Sequence, residues 1–214
     1  MLKLLFVSAC PRGQASRTLR LANAFLEEFT RCVPAEVVTQ DLTRLNLPNM
    51  DEALLAVKES LCDRCAWEDS FFRHAVPFQR ADAVVIAAPY WDLSFPSILK
   101  IWVENMYVRN LTFRYEHDRC IGLCRGREAV YLTTAGSPIG DNDWGAGYIR
   151  AVMHALGIQA FTSVRAEGLD LAGNDAEAIM AQAQERARLA ARQVAAHLAL
   201  PGKQTDPYDI GEKA

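Results

Sequence analysis

The chain alternates short, continuous apolar runs with stretches in which apolar residues recur every three or four positions. The continuous runs predict strands of a parallel sheet, because a strand that is covered on both faces shows no polar alternation. Five strands are predicted in this way, at residues 2–7, 36–41, 83–88, 128–133 and 160–165. The helical spacing predicts helices at residues 16–29, 51–60, 67–74, 96–109, 143–156 and 176–198.

Strands and helices in alternation are typical of an α/β fold with a parallel sheet. Five strands favour the flavodoxin-like arrangement, a three-layer fold with strand order 2-1-3-4-5 and helices on both faces of the sheet. The sequence shows no internal repeat and no second domain, so we expect residues 1–202 to form one domain. Residues 203–214 are polar and are predicted to be a C-terminal tail.

Composition narrows the possible function classes. Half of the 214 residues are hydrophobic, and the formal net charge of -3 gives no basic surface for nucleic acid. No apolar run approaches the roughly 18 residues that a membrane span requires. The apolar segment at the start of the sequence is too short and too strand-like for a signal peptide. We therefore expect a cytoplasmic protein without a membrane span and without a nucleic-acid partner.

The six cysteines include two close pairs. Cys62 and Cys65 form a C-x-x-C motif, and Cys120 and Cys124 form a C-x-x-x-C motif. Two such pairs could bind zinc or an iron–sulfur cluster, but the second spacing is loose and neither pair lies among the glycines and aromatics of a zinc ribbon. We expect unpaired thiols or an adventitious disulfide, and no metal site.

The loop after the first strand offers the chemistry of a phosphate site. Parallel strands place ligands at their carboxyl ends, and strands one, three and four should lie side by side. The first loop lacks the glycine patterns of dinucleotide and nucleoside-triphosphate sites. It supplies hydroxyls, a guanidinium and the amides of a helix start at Ser8, Ser16, Arg17 and Thr18, which suit a phosphate monoester. The alternative is that Ser16 is only a helix cap.

The other two loops offer the chemistry of a ring site. The second loop contains Pro89, Tyr90, Trp91, Asp92 and Leu93, and its two aromatics and carboxylate suit a flat ligand with polar edges. The third contains Thr134, Ala135, Gly136 and Ser137, in which the glycine lets the main chain approach a ligand closely. The alternatives are an aromatic cap on the core and a simple turn. A phosphate loop beside two ring loops is the arrangement of an FMN site.

The chain resembles the FMN-dependent NADH:quinone oxidoreductases and azoreductases over nearly its whole length. The resemblance rests on Ser16-Arg17-Thr18, the block AAPYWDLSFPSILKIWVE, Leu111–Tyr115 (LTFRY), Thr134–Ser137 and Ala166-Glu167-Gly168. It implies that Ser16–Thr18 hold the FMN phosphate, Tyr90–Leu93 lie along the isoalloxazine and Thr134–Ser137 contact its pyrimidine edge. Phe113 and Tyr115 are candidates for a substrate platform, with a core pair that holds the loop as the alternative.

The resemblance also implies an activity. NAD(P)H would reduce the flavin, and a quinone or azo compound would then accept two electrons in a ping-pong hydride relay. The flavin would supply this chemistry, so no catalytic side chain is expected. The family members are homodimers with active sites at the subunit interface.

The chain departs from the family pattern at several positions. Asp92 stands where the family usually has a carboxamide, Ser137 where it often has a second glycine, and Arg165 where it often has an aromatic. The alternative function is a flavodoxin-type electron carrier, or a flavin-binding protein without quinone or azo reductase activity. Such carriers are usually strongly acidic, whereas this chain has a formal net charge of only -3.

Overall fold

A computed structural model of the chain describes residues 1–141 and 143–201. The strands are β1 (Leu2–Ser8), β2 (Ala35–Asp41), β3 (Ala83–Ala87), β4 (Phe113–Glu116), β5 (Arg119–Gly122), β6 (Glu128–Thr134) and β7 (Ala160–Ala166). The helices are α1 (Arg17–Cys32), α2 (Glu52–Asp63), α3 (Ala75–Arg80), α4 (Ser97–Met106), α5 (Trp144–Ala155) and α6 (Ala176–Ala199). The predicted tail, residues 203–214, lies outside the described residues.

Five of the strands form one parallel sheet in the order β2-β1-β3-β6-β7. The five-stranded parallel sheet and the helices on both of its faces were expected from the sequence. The strand numbers differ from the predicted 2-1-3-4-5, because two further strands, β4 and β5, lie between β3 and β6 along the chain. They form a separate antiparallel hairpin outside the parallel sheet. The sequence did not predict this hairpin, whose strands are only four residues long and are each half-buried and half-exposed.

The predicted helix at residues 67–74 is wrong. A 3-10 turn, Ser70–Phe72, occupies this segment, and α3 begins only at Ala75. The Asp69 side chain accepts a hydrogen bond from the Phe71 amide at 2.9 Å and so fixes the turn. Pro77 then lies at the third position of α3, where its missing N–H costs no intrahelical bond. Aromatic residues in the segment gave it a helical spacing, but only Ser70–Phe72 form a turn of 3-10 helix there.

Two apolar cores hold the helices to the sheet, one on each face. Every residue of β3 is buried, as its continuous apolar run predicted. On one face, alanines of α6 at helical spacing bring this helix close to α1. On the other face, the buried Trp102 of α4 donates a hydrogen bond from Nε1 to Gln40 of β2 at 2.7 Å. None of the described helices is both long and apolar enough to cross a membrane.

Candidate functional site at the carboxyl edge of the sheet

The three loops predicted to build one site meet at a cleft of about 200 Å³. The cleft lies where β1, β3 and β6 end, because these strands are neighbours in the sheet. Its lining consists of Pro11, Arg12, Ser16, Arg17, Thr18, Pro89, Tyr90, Trp91, Thr134, Ala135, Gly136, Leu169 and Asp170. Each of the three predicted loops therefore contributes residues to a single concave surface.

The start of α1 presents unpaired amides to the cleft. Ser16 is the N-cap, and its hydroxyl accepts a hydrogen bond from the Leu19 amide at 3.2 Å. Arg17 and Thr18 occupy the first two helical positions, whose amides have no acceptor within the helix. The positive end of the helix dipole adds to their attraction for an anion. Ser16 is thus a helix cap, as the alternative interpretation held, and it also lines a surface that suits an anion.

A buried hydrogen bond ties the first loop to the third. The hydroxyls of Thr18 and Thr134 lie 2.6 Å apart, and the Thr18 side chain is only 1% exposed. The amide of Tyr90 donates to the carbonyl of Thr134 at 2.9 Å and ties the second loop to the same residue. Thr134 therefore fixes the relative positions of all three loops.

The second loop ends in a tight turn. Trp91 and Ser94 exchange backbone hydrogen bonds of 3.3 and 2.8 Å, and the two residues between them, Asp92 and Leu93, have φ angles of 50° and 65°. Two successive left-handed residues define a type I′ turn, which favours glycine or asparagine over leucine. Both side chains are exposed and lie outside the cleft lining, whereas Trp91 remains in it.

A fourth segment, which follows β7, closes the cleft. The amide of Asp170 donates to the carbonyl of Gly136 at 2.9 Å, and its carboxylate accepts a hydrogen bond from the Arg17 guanidinium at 2.8 Å. A Cβ atom at position 136 would lie 2.3 Å from an oxygen of the Asp170 carboxylate. A side chain at position 136 would therefore displace the Asp170 carboxylate from its present position.

Other predicted residues lie outside the cleft lining. Ser8 is buried at the end of β1, and Ser137 is exposed beside the third loop. Phe113 and Tyr115 lie on the β4–β5 hairpin, where their rings make an edge-to-face contact with centroids 5.5 Å apart. The Tyr115 side chain is 70% exposed. Within one copy of the chain, Phe113 is half-buried against the core and the Tyr107 ring, Tyr115 is exposed, and neither lines the cleft.

Sequence reasoning missed four lining residues, namely Pro11, Arg12, Leu169 and Asp170. The last two were missed because only the loops after strands one, three and four were considered, although β7 is the neighbour of β6. Gly168, which has a φ angle of 73°, turns the chain back toward the cleft. A glycine two residues after the last strand was the available signal.

Acidic groups surround the ring-loop side of the cleft. The pKa of the Tyr90 hydroxyl is raised above its ordinary value, first by burial and then by the charges of Asp143 and Glu167. Tyr90 is therefore a neutral hydrogen-bonding group at physiological pH. Burial likewise raises the pKa of the Cys10 thiol, which lies behind the first loop.

The two cysteine pairs do not assemble into a metal centre in the part of the chain that the structure describes. There, no three or more His, Cys, Asp or Glu side chains are grouped so that they could hold a metal ion. Cys62 is buried and Cys124 half-buried, whereas Cys65 and Cys120 are exposed, and all four are free thiols.

The chain is similar to known proteins in sequence and in fold. The family model described as flavodoxin-like fold matches residues 2–190. An FMN-dependent NADH:quinone oxidoreductase 2 from Clostridium acetobutylicum is 33% identical over 90% of this chain and 100% of its own length. An FMN-dependent NADH:quinone oxidoreductase from Lachnoclostridium phytofermentans is 30% identical over the same shares.

The crystal structure of an FMN-dependent NADH-azoreductase from Bacillus anthracis in complex with FMN superposes with a TM-score of 0.80. It is 22% identical in sequence, covering 91% of this chain and 100% of that one, and so shows a common fold. The family match and the two curated relatives extend over most of the chain. The chain therefore belongs to the flavodoxin-like family of the FMN-dependent NADH:quinone oxidoreductases.

Proposed function

We propose that the chain binds FMN in the cleft and transfers two electrons from NAD(P)H to quinones. The observation that supports this most directly is the convergence of the α1 start with the Tyr90 and Gly136 loops on one concave surface. The relatives named as FMN-dependent NADH:quinone oxidoreductases point to the same cofactor and substrates.

We infer that the phosphate of FMN binds at the start of α1. The amides of Arg17 and Thr18, the Arg17 guanidinium and the nearby Arg12 supply hydrogen-bond donors and positive charge there. The buried Thr18–Thr134 hydrogen bond keeps this end of the cleft at a fixed distance from the ring loops. A preformed arrangement of this kind reduces the entropic cost of binding.

We infer that the ring lies between the second and third loops. Pro89, Tyr90 and Trp91 offer an apolar wall, and the loop at Gly136 offers backbone groups to a polar edge. Bound FMN supplies the two-electron chemistry, and the protein binds and orients the reactants. NAD(P)H and the acceptor would use the same open side of the cleft in turn, which gives a ping-pong sequence. Azo compounds are proposed as further acceptors because azoreductases share the fold.

We propose a homodimer with shared active sites, which the exposed apolar surface beside the cleft supports. Trp91, Leu93 and Trp144 are exposed, and an apolar groove lined by Phe95, Trp144 and Tyr148 runs next to the type I′ turn. Exposed large apolar groups that cluster in this way mark interaction surfaces. A second copy that covers this groove would extend the open side of the cleft, with the Phe113–Tyr115 pair as a candidate substrate platform.

We further propose that residues 1–202 form a single domain and that the protein acts in the cytoplasm. The described helices pack on the two faces of one sheet, through the two apolar cores. The six cysteines, which all lie in the described residues, are free, and free thiols are typical of a reducing compartment.

The absorbance spectrum of the purified protein tests the proposal. We expect a yellow protein that can be loaded with FMN, is bleached by NADH or NADPH, and regains its colour on addition of a quinone. Steady-state rates with both nicotinamides, several quinones and azo dyes then define the acceptor class. Colourless protein that FMN cannot load would refute the proposed cofactor. Bound FMN without turnover on any acceptor would instead favour the electron-carrier alternative.

A matched pair of variants links the cofactor to the cleft. Arg17 and Arg20 lie one turn apart on α1, but only Arg17 lines the cleft, while Arg20 pairs with Glu177 at 2.9 Å. We expect Arg17→Ala to weaken FMN binding at least about tenfold, since a charge-assisted phosphate contact contributes roughly 1.5–3 kcal/mol. Arg20→Ala should leave FMN binding within about twofold of the parent, as expected for an exposed ion pair. Equal effects of the two changes would contradict the placement of the phosphate.

A further inference from the structure

An acidic side chain occupies the anion-binding end of the cleft. The Asp170 carboxylate accepts a hydrogen bond from the Arg17 guanidinium at 2.8 Å, so the cation that faces the α1 start already has an anionic partner. We propose that Asp170 is an internal competitor for the cofactor phosphate, which holds Arg17 in place when the site is empty and weakens FMN binding. This inference rests on the proposed function and adds a residue that sets cofactor affinity.

The loop after β7 holds Asp170 in this position. Its amide donates to the Gly136 carbonyl at 2.9 Å, and the missing side chain at Gly136 makes room for the carboxylate. The turn before it is fixed by Gly168, whose carbonyl accepts a 2.8 Å hydrogen bond from the Asn174 side-chain amide. The carboxylate is thus placed by backbone contacts and does not reach Arg17 from a freely moving segment.

The placement has an electrostatic consequence for a phosphate monoester. A dianionic phosphate at the start of α1 would share Arg17 with the Asp170 carboxylate, and like charges a few ångströms apart disfavour each other. The Asp170 side chain is 66% exposed, so water and salt reduce the repulsion without removing it. Riboflavin has the same ring system and no phosphate, and Asp170 should not affect its binding.

The test compares FMN with riboflavin in the Asp170→Asn protein. Asparagine keeps the size of the side chain and can still accept the Arg17 hydrogen bond, but it has no charge. We expect the Kd for FMN, measured by quenching of flavin fluorescence, to fall about tenfold, which corresponds to ~1.4 kcal/mol. The Kd for riboflavin should change by less than about twofold. The gain for FMN should shrink at about 1 M salt, where the Debye length is ~3 Å.

Glu177→Gln is the matched control, because it removes one negative charge from the ion pair with Arg20 on the next turn of α1. We expect it to leave both flavin affinities within about twofold of the parent. If Asp170→Asn weakens FMN binding, leaves it unchanged, or strengthens FMN and riboflavin equally, then Asp170 does not compete with the phosphate. These outcomes would leave the proposed function standing. A parent protein that binds neither flavin would overturn both proposals.

Discussion

The hydrogen bond between Thr18 and Thr134 is expected to stabilise the fold through the pairing of the two hydroxyls. The hydroxyls lie 2.6 Å apart in a buried setting and join the start of α1 to the end of β6. Thr18→Val or Thr134→Val removes one hydroxyl and leaves the other buried without this partner. The double substitution removes both hydroxyls and leaves two methyl groups in contact.

The expected magnitudes follow from the burial of both residues. A buried hydroxyl that loses its partner costs about 1–3 kcal/mol, whereas replacing both partners with apolar groups of the same shape is nearly neutral. Each single variant should therefore lower the free energy of unfolding by about 1–3 kcal/mol. The double variant should lie within about 1 kcal/mol of the parent, which gives a coupling energy of roughly 1–3 kcal/mol.

Urea unfolding of the four proteins, followed by circular dichroism and intrinsic fluorescence, measures this coupling. Thr133→Val is the control on the preceding position of β6. The Thr133 side chain is buried and takes no part in the Thr18–Thr134 contact, so Thr133→Val should cost less than either single substitution of that pair. Losses that add up in the double variant would show that the two hydroxyls do not act as a pair.

Three further changes test other features of the fold. Gly122→Ala would place a Cβ atom 2.1 Å from the carbonyl carbon of Leu156 and should lower the free energy of unfolding, measured in urea, by about 3 kcal/mol or more. The control is Gly147→Ala, whose Cβ atom would meet no atom within 4 Å and which should be neutral or stabilising. Equal effects of the two changes would refute the contact. Leu93→Gly should raise the unfolding free energy by about 1 kcal/mol, because it relieves a left-handed leucine at φ 65°, and a lower melting temperature would contradict this. Hydrogen bonds from Arg192 and Arg31 lower the pKa of Glu28, so its contribution to stability is present above the pKa of the unfolded chain and is lost as the pH falls through the folded-state pKa. Between neutral and acidic pH, the unfolding free energy should therefore change less in the Glu28→Gln variant than in the parent. Identical pH profiles of the two proteins would show that the contacts of Glu28 with Arg192 and Arg31 do not contribute to the pH dependence of stability.

The sheet was predictable because its strands are buried on both faces. The apolar composition of a run such as β3 is enough to predict a strand that is buried on both faces. The order of the strands then determines which loops lie at the same edge of the sheet. The β4–β5 hairpin was not predictable in this way, since its short strands depend on contacts with residues distant in the sequence. Gly122 packs directly against the backbone at the end of α5, a contact between distant segments that no local pattern encodes.

The sequence predicted that three loops would meet at one cleft, but it did not predict the fourth segment, which follows β7. The loops at Arg17, Tyr90 and Gly136 contain the residue types that suit a phosphate and a ring, and the order of the strands brings them together. Asp170 offered no such chemical signal, because a carboxylate is unexpected at an anion site. Its role depends on an ion pair with Arg17, and the turn that places it is set by Gly168.

The hydrogen bonds that close the cleft join residues far apart along the chain, since 116 positions separate Thr18 from Thr134 and 153 separate Arg17 from Asp170. A nascent chain that ends before β6 contains the α1 start and the second loop but lacks Thr134 and the third loop of the cleft. Ligand binding stabilises only the state that has the site, by RT ln(1 + [L]/Kd). A bound cofactor would therefore protect finished molecules from proteolysis and give no help to incomplete chains, so that its retention reports completed synthesis and folding.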